Sequence, residues 1–385
     1  MMKFTCEKAL LQSAAAVASR AVAAKSSIPA LEGLLLETGN GLTVSGYNMT
    51  TGIRAQLDAE VGGEAQLVLN ARLFGDIIRK MPDDVISFVS DGKSTVHLSC
   101  GDASFDIPYL SAEDYPDLPE VEDEQFVVLQ QRTLREMIEQ CAFAVSTNEA
   151  RPVHTGALFE IGGGRLTMVA VDGFRLAVRR EPLEKASGEF SFVAPGSALN
   201  EMKSICGDTE DPVTVMLGRR HILFEVGGTQ LICRRLEGEF LDYRNAIPRK
   251  NPIVVTAETK ALINSIDRVS VVISDKLKSP VRCRFEADRV LLSARTGNGE
   301  AKDVCPLAGD GQELEIGFNN RYLMDALKYA PADTVSIELN TGVSPAVIVP
   351  TDGSDRFLYM VLPVRLKSAE GWGKAPFTAC SRKSS

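Results

Sequence analysis

The sequence of 385 residues predicts an α+β protein made of three tandem repeats of one domain. A helical stretch rich in apolar residues begins at Ala71, Gly196 and Asn320, so its copies lie 196 − 71 = 125 and 320 − 196 = 124 residues apart. Each copy ends at a turn containing Pro, Asp or Gly and continues into a strand of alternating apolar residues. A helix, a turn and a strand that recur in register indicate tandem structural repeats.

Another helical stretch opens each repeat after a short strand. The three copies begin at Cys6, Gln131 and Glu258, and the first is expected to extend to about Ala24. Their apolar residues recur at helical spacing, so one face of each helix should pack on a core. The equivalent positions are predicted to be Leu10, Leu134 and Leu262.

The second helical stretch of each repeat carries equivalent apolar and acidic positions. The apolar positions are Phe74, Leu199 and Leu323, and the acidic ones are Asp76, Glu201 and Asp325. The strands that follow start at Val85, Val213 and Val335. Their alternation of apolar and polar residues is typical of antiparallel sheets covered on one face.

Composition changes divide the chain into domains. Acidic residues lie near residues 122–125 and a Pro-containing basic run near 249–252, which are typical of segments between domains. The predicted domains are 1–123, 124–250 and 251–366. The remaining segment, 367–385, is rich in Lys, Ser and Gly and is expected to be a disordered extension.

The composition is that of a globular protein of the cytoplasm. The chain is 44% hydrophobic and 24% charged, and it contains no run of about 18 apolar residues that would span a membrane. Its eight cysteines include no CxxC pair, which favours reduced thiols. The three histidines are not spaced as metal ligands, so neither a metal nor a cofactor is expected.

No group of residues predicts a catalytic site, and we expect no enzyme activity. Residues 91–95, Asp-Gly-Lys-Ser-Thr, imitate the end of a phosphate-binding loop, but Ser87 stands where the leading glycine is required, so a hairpin turn is predicted. Asp172 precedes Gly173 and is predicted to be a turn residue, with a catalytic acid as the alternative. A hydrolase or transferase would need a cluster of polar residues that the sequence does not contain.

Three segments and the start of the chain resemble the bacterial DNA polymerase III β subunit, the sliding clamp family. They are residues 169–178 (VAVDGFRLAV), 240–244 (FLDYR), 361–366 (VLPVRL) and the opening Met2-Lys3-Phe4-Thr5. The resemblance extends from Met2 to Leu366 and includes the threefold repeat. It implies a ring-shaped homodimer of six similar domains, with helices lining the hole and antiparallel sheets outside.

The resemblance implies binding of double-stranded DNA without sequence preference, through Lys and Arg contacts to phosphates. Lys25 and Arg72 resemble the basic contacts of the family and Asn148 a polar one, while Arg79 is a further helix candidate. The net charge of −9 is compatible with this function if positive potential is confined to the hole. The other basic helix candidates are Arg20, Lys80, Arg132, Arg135, Lys203, Lys260, Arg268, Arg321 and Lys328.

The resemblance also implies a pocket between the second and third domains for short peptides. The implied partners are the DNA polymerase III catalytic subunit, the clamp loader, repair polymerases and other proteins with clamp-binding peptides. Aliphatic walls would bury the apolar anchors of such a peptide. The matching positions are His154, Val171, Gly173, Phe174, Arg175, Leu176, Leu241, Asn245, Ala246, Tyr322, Pro345, Met360, Leu362, Pro363, Val364, Arg365 and Leu366.

The implied dimer contact sets Phe105 and Ile107 of one protomer against Val272 and Ile273 of the other. These four residues could equally be interior to their own domains. A monomeric repeat scaffold that binds only proteins is the alternative function. The extension 367–385, with Trp372 and Phe377, suggests a further hypothesis, in which it partly occludes the peptide pocket.

Overall fold

The computed structural model describes residues 1–122, 125–274, 279–309 and 311–366. The predicted extension 367–385 therefore lies outside the described residues. The described residues form two compact units, one within 1–246 and 354–358 and the other within 247–353 and 359–366. The first unit contains the first two sequence repeats.

The described α-helices are α1 (Lys8–Ala18), α2 (Ala71–Lys80), α3 (Gln131–Ala142), α4 (Gly196–Ile205), α5 (Tyr243–Ala246), α6 (Thr259–Ser270) and α7 (Asn320–Lys328), with 3-10 turns at Ser19–Ala21, Pro29–Glu32 and Pro152–Thr155.

The strands of the first repeat are β1 (Lys3–Glu7), β2 (Gly33–Gly39), β3 (Gly41–Tyr47), β4 (Thr51–Leu57), β5 (Glu60–Val61), β6 (Ala65–Asn70), β7 (Val85–Ser90), β8 (Thr95–Cys100) and β9 (Ala103–Pro108). Those of the second repeat are β10 (Gln125–Gln130), β11 (Gly156–Gly162), β12 (Arg165–Val171), β13 (Arg175–Pro182), β14 (Lys185–Ala186), β15 (Phe190–Pro195), β16 (Pro212–Leu217), β17 (His221–Val226) and β18 (Thr229–Arg234). The third repeat has β19 (Ile253–Glu258), β20 (Val281–Phe285), β21 (Arg289–Thr296), β22 (Gly299–Pro306), β23 (Ala308–Gly309), β24 (Leu314–Phe318), β25 (Thr334–Leu339), β26 (Ala346–Pro350) and β27 (Phe357–Val361).

Antiparallel pairing joins the first two repeats into one sheet of the first unit. Its strand order is β14-β10-β16-β17-β18-β4-β3-β2-β6, and β18 pairs with β4 from Thr229↔Ala55 to Cys233↔Thr51. The first repeat also has the sheet β5-β1-β7-β8-β9, and the second repeat the strands β15-β11-β12-β13. The second unit contains the strands β26-β25-β19-β23, with residues 359–361 of β27 paired to β26, and the sheet β22-β21-β20-β24. The predicted α+β class with antiparallel sheets is confirmed.

The core of the first repeat lies between its two helices and its two sheets. Phe4 of β1 stacks on Phe88 of β7 with ring centroids 4.4 Å apart, and Phe74 of α2 is fully buried beside them. Helix α2 begins where the Asn70 side chain accepts a hydrogen bond from the Leu73 N–H, which satisfies one of the free amides of its first turn.

Two predictions about the first helix are wrong in detail. Leu11 is fully buried, whereas Leu10 is 42% exposed, so Leu11 is the residue equivalent to the buried Leu134 and Leu262. The α-helix ends at Ala18 and not near Ala24. Strand β3 passes so close to this end that a side-chain Cβ at Gly46 would lie 2.1 Å from the Ala18 carbonyl oxygen.

A second apolar cluster covers the other face of the joined sheet. The segment between the first two repeats places Tyr115 and Leu118 there, together with Tyr47 of β3 and Ile232 of β18. The Tyr115 hydroxyl lies 3.5 Å from the Ser45 carbonyl oxygen, which it faces as a donor. This cluster adds side-chain packing to the backbone pairing between β4 and β18.

Candidate functional site

The four predicted DNA-contact residues lie on the surface of the first unit. Lys25 follows the 3-10 turn after α1, and Arg72 lies in the first turn of α2; both are exposed. Arg79, in the last turn of α2, forms a salt bridge of 2.6 Å with Asp76. Asn148 is exposed, and its side-chain oxygen accepts a hydrogen bond from the Ala150 N–H at 3.0 Å.

Carboxylates already pair with several basic residues on the helices and the turns beside them. Besides Arg79, these are Arg20 with Glu201, Arg132 with Asp208, and Arg268 with Asp303. Such pairs reduce the charge that these arginines can offer to a phosphate. In the ranges that the structure describes, a second group has no carboxylate oxygen within 4.0 Å: Lys25, Arg72, Lys80, Arg135, Lys203, Lys260 and Lys328.

A tight hairpin between β12 and β13 carries the central residues of the predicted peptide pocket. The Asp172 side chain accepts hydrogen bonds from the backbone N–H groups of Phe174 (2.9 Å) and Arg175 (3.0 Å), and it forms a 2.8 Å salt bridge with the Arg175 guanidinium. Asp172 is therefore a turn residue, as predicted. Gly173 has a φ of +89°, which glycine adopts without strain, and the turn leaves the Phe174 side chain 57% exposed.

The first repeat contains the same turn with different residues. Asn48 accepts hydrogen bonds from the N–H groups of Thr50 (3.1 Å) and Thr51 (2.9 Å), as Asp172 does in the second repeat. Met49 occupies the position of Gly173, with a φ of +70°, and is 56% exposed. An uncharged side chain therefore caps this turn in the first repeat.

An aromatic ring restrains the Arg175 side chain in addition to Asp172. Its guanidinium lies over the Phe143 ring, 5.4 Å from the centroid, and its salt bridge with Asp172 is only slightly exposed. A cation between a carboxylate and an aromatic face has a restricted orientation. Val171 and Leu176 pair across the hairpin and are buried, so their side chains support the turn from below.

The segment after β18 positions the other pocket residues of the first unit. His154 contacts the Phe240 ring edge to face, with centroids 5.4 Å apart. Burial and the nearby Arg151 lower the pKa of His154 below its ordinary value, so the neutral imidazole is favoured. Leu241 is 39% exposed, and Asn245 and Ala246, at the end of α5, are both exposed.

Glu160 anchors the start of α5. It accepts a 2.6 Å hydrogen bond from the Tyr243 hydroxyl and bonds of 3.1 and 2.7 Å from the Arg244 guanidinium. Burial and the bond to Glu160 raise the pKa of Tyr243, which keeps the phenol protonated as a donor. Sequence reasoning missed Glu160, and no motif around it signals this role.

The remaining pocket residues belong to the second unit. Val364 donates its N–H to the Gly317 carbonyl oxygen at 2.8 Å, so the end of the described chain lies along β24, an edge strand. A Cβ at Gly317 would lie 2.5 Å from the Leu366 side chain, which explains the glycine. Met360 is buried; Tyr322, Pro345, Leu362, Pro363 and Leu366 are partly buried; Val364 and Arg365 are exposed.

The predicted dimer residues differ in exposure. Phe105 is 37% exposed on β9, an edge strand, whereas Ile107 on the same strand is buried in the core of its own domain. Val272 and Ile273 are partly buried after α6, and the Val272 carbonyl accepts a hydrogen bond from the Thr296 hydroxyl at 2.7 Å. The neighbouring Val271 is 82% exposed and was missed by sequence reasoning.

The other motifs of the sequence are structural. The Asp91 carboxylate accepts hydrogen bonds from the N–H groups of Lys93, Ser94 and Thr95, which lower its pKa, and Gly92 has a φ of +73°. The predicted hairpin turn is therefore confirmed. Within the described ranges, we find neither a group of three or more potential metal ligands nor a helix with the length and apolarity needed to cross a bilayer.

The chain matches models of all three domains of one protein family. Residues 2–119 match the N-terminal domain of the DNA polymerase III beta subunit, residues 128–242 the central domain and residues 244–365 the C-terminal domain. The three matches follow the order of the sequence repeats.

Relatives and solved structures of similar length give the same result. The beta sliding clamp of Synechocystis sp. is 32% identical to the chain over 95% of the chain and 100% of its own length. The beta sliding clamp of Halalkalibacterium halodurans is 31% identical over 90% of the chain and 95% of its own length. The sliding clamp of Bacillus subtilis is similar in structure, with a TM-score of 0.91 and 26% identity over 95% of this chain and 100% of its own. The DNA polymerase III beta subunit of Thermotoga maritima gives a TM-score of 0.88 and 28% identity, with the same coverage.

Proposed function

The chain belongs to the DNA polymerase III β-subunit family, the bacterial sliding clamps, and on that premise we propose that it closes as a homodimer around duplex DNA and tethers the replicative polymerase for processive synthesis. The observation that carries the proposal is the match of three tandem domains over residues 2–365. We propose domain boundaries at 1–123, 124–250 and 251–366. The clamp is a replication factor, and we place its work in the cytoplasm at the nucleoid.

DNA contact is assigned to Lys25, Arg72, Arg79 and Asn148. Lys25 and Arg72 are exposed and have no carboxylate within 4.0 Å among the described residues, which leaves their charge available to phosphates. To contact DNA, Arg79 would have to break its salt bridge with Asp76 and bind a phosphate instead. Contacts of this kind neutralise phosphates without reading bases, as sliding along any sequence requires.

Peptide binding is assigned to the seventeen pocket positions named from the sequence. The turn around Gly173 supports this assignment because it exposes Phe174 while hydrogen bonds hold the backbone still. A preformed turn lowers the entropy that a peptide must lose on binding. The partners are the DNA polymerase III catalytic subunit, the clamp loader and repair polymerases.

The homodimer is assigned to the exposed edge of β9 and to Val272 and Ile273. Because Ile107 is buried in its own domain, Phe105 and the free backbone of β9 are the groups of this strand that a partner could contact. Pairing across such an edge covers hydrogen-bonding groups that would otherwise remain open. The chain has no catalytic role in this proposal and requires no cofactor.

Retention on DNA of different topology tests the proposal. The protein, loaded by a clamp loader with ATP, should remain on nicked circular DNA during gel filtration and leave it after the circle is linearised. Equal retention on both forms would refute topological binding. Sedimentation equilibrium tests the alternative of a monomeric protein-binding scaffold, which requires the mass of one chain at all concentrations.

A further inference from the structure

Four arginines meet at one end of the β17–β18 hairpin. Arg219 and Arg220 form the turn between β16 and β17, Arg234 ends β18, and Arg235 follows it. Strand register places Arg234 opposite His221, and the Arg235 N–H donates to the Arg220 carbonyl oxygen at 3.0 Å. The four residues are therefore neighbours in space, although they come from two segments of the chain.

The positive charge of this arginine cluster is not compensated by the described residues. None of the four guanidinium groups has a carboxylate oxygen within 4.0 Å in the described ranges. Arg219, Arg220 and Arg234 are exposed, and Arg235 is partly buried. Burial lowers the pKa of His221, and the nearby Arg234 and Arg220 lower it further. Four such charges together are notable in a chain of net charge −9.

The arginine cluster and the loop that carries Lys25 are both linked to one apolar cluster of the first unit. The Arg234 N–H donates to the Thr50 carbonyl oxygen at 3.3 Å, so the cluster adjoins the β3–β4 turn. Ala23, two residues before Lys25, packs on the apolar cluster that contains Tyr47 and Ile232. The loop that carries Lys25 and the strand that carries Arg234 therefore both extend from the same apolar cluster.

We propose that Arg219, Arg220, Arg234 and Arg235 form an additional contact site for the phosphate backbone of duplex DNA. The proposal rests on the clamp function proposed above and extends its set of DNA contacts. Arginine binds phosphate through two parallel N–H groups. Because the four arginines lie on adjoining backbone segments, their long side chains can contact phosphates of the same DNA strand together.

Phosphate contacts explain the composition of the arginine cluster better than an acidic peptide does. Exposed ion pairs with a peptide contribute little free energy each, so a peptide would need apolar anchors as well. Contacts with DNA gain free energy from the release of counterions and need no apolar anchor.

The test compares two variants that remove the same number of positive charges. The first, R219Q/R220Q/R234Q, removes exposed arginines of the cluster. The control, R165Q/R282Q/R289Q, removes arginines that are paired with Asp355, Glu315 and Glu286. Binding to a short linear duplex is measured by fluorescence anisotropy from about 20 to about 200 mM salt, a range in which phosphate contacts change affinity steeply.

The first variant should lower the slope of log affinity against log salt by up to about 2.7, or about 0.9 for each phosphate that is no longer neutralised, and the control should not. Equal slopes for the two variants would overturn the proposal. It would also be overturned if the first variant kept its duplex affinity but no longer bound a poly-glutamate peptide, which would indicate an acidic protein partner. If the triple variant has no cooperative thermal unfolding transition, the double variant R219Q/R220Q replaces it in the test. It should lower the salt slope by up to about 1.8.

Retention on circular DNA is measured in parallel. Absence of retention in the wild-type protein would refute the ring, whereas the slopes on a short linear duplex report direct contact alone. The two proposals can therefore fail separately.

Discussion

Replacing Asp172 separates the two roles that its carboxylate has in the β12–β13 turn. Asp172→Ala removes two backbone hydrogen bonds and the salt bridge with Arg175, whereas Asp172→Asn keeps an oxygen for the backbone and removes only the charge. The first repeat already uses an amide, Asn48, in the equivalent turn. We therefore expect the asparagine variant to retain the turn.

The structure gives the order and the size of the effects. Each backbone bond contributes about 1 kcal/mol, and the charged bond about 1.5–3 kcal/mol. Asp172→Ala should therefore lower the free energy of unfolding by about 4 kcal/mol and Asp172→Asn by about 2 kcal/mol. Asn48→Ala is the uncharged control: it removes two neutral backbone bonds and the 2.7 Å bond from the Thr50 hydroxyl, at about 3 kcal/mol in all.

Peptide binding gives a second measurement of the same turn. A residue freed by Asp172→Ala has to be ordered again on binding, at about 1–2 kcal/mol, so the affinity for a polymerase peptide should fall about tenfold. Urea unfolding and anisotropy with a labelled peptide measure the two effects. If the alanine and asparagine variants are destabilised equally, the backbone bonds do not hold the turn, and the reasoning is refuted.

The remaining predictions concern pH, assembly and DNA. Because burial lowers the pKa of His154 and His221, the stability they contribute should be fully present above about pH 6.5 and decline as the pH falls below it; urea midpoints that stay flat in this range would contradict the shifts. Ile273→Asp should place an unpaired charge in the proposed dimer contact, at a cost of several kcal/mol, and yield a monomer by sedimentation; a stable dimer would remove Ile273 from the interface. Replacing Lys25 and Arg72 with alanine should lower the salt slope of binding to linear duplex by up to about 0.9 for each of the two side chains that binds a phosphate; an unchanged slope would exclude both residues from DNA contact.

Periodicity predicted the helices and strands well because each repeat buries side chains at regular spacing. The strands predicted to start at Val85, Val213 and Val335 are β7, β16 and β25, within one residue. Adjacent leucines misled the alignment at Leu10, because a local pattern does not decide which of two neighbours faces the core. Only the burial of Leu11 settles the register.

Long-range contacts could not be predicted in the same way. The end of α1 at Ala18 coincides with the close approach of Gly46, which lies 46 − 18 = 28 residues further along the chain. Ion pairs such as Arg20 with Glu201 join residues of different repeats. The sequence therefore does not show which arginines are already paired with a carboxylate and which can bind a phosphate. The resemblance named the pocket residues, but not the carboxylates that hold Arg175 and Arg244 in place.

The pairing of β4 with β18 makes the junction of the first two repeats mechanically stiff. Five consecutive residue pairs, from Thr51 to Ala55 and from Thr229 to Cys233, cross this junction, and Tyr115 and Leu118 brace it from one side. Bending there would break main-chain hydrogen bonds and strip packed side chains from the sheet at the same time. In the proposed ring, the first two repeats would therefore move as one rigid body, and the ring would have to open at another interface to admit DNA.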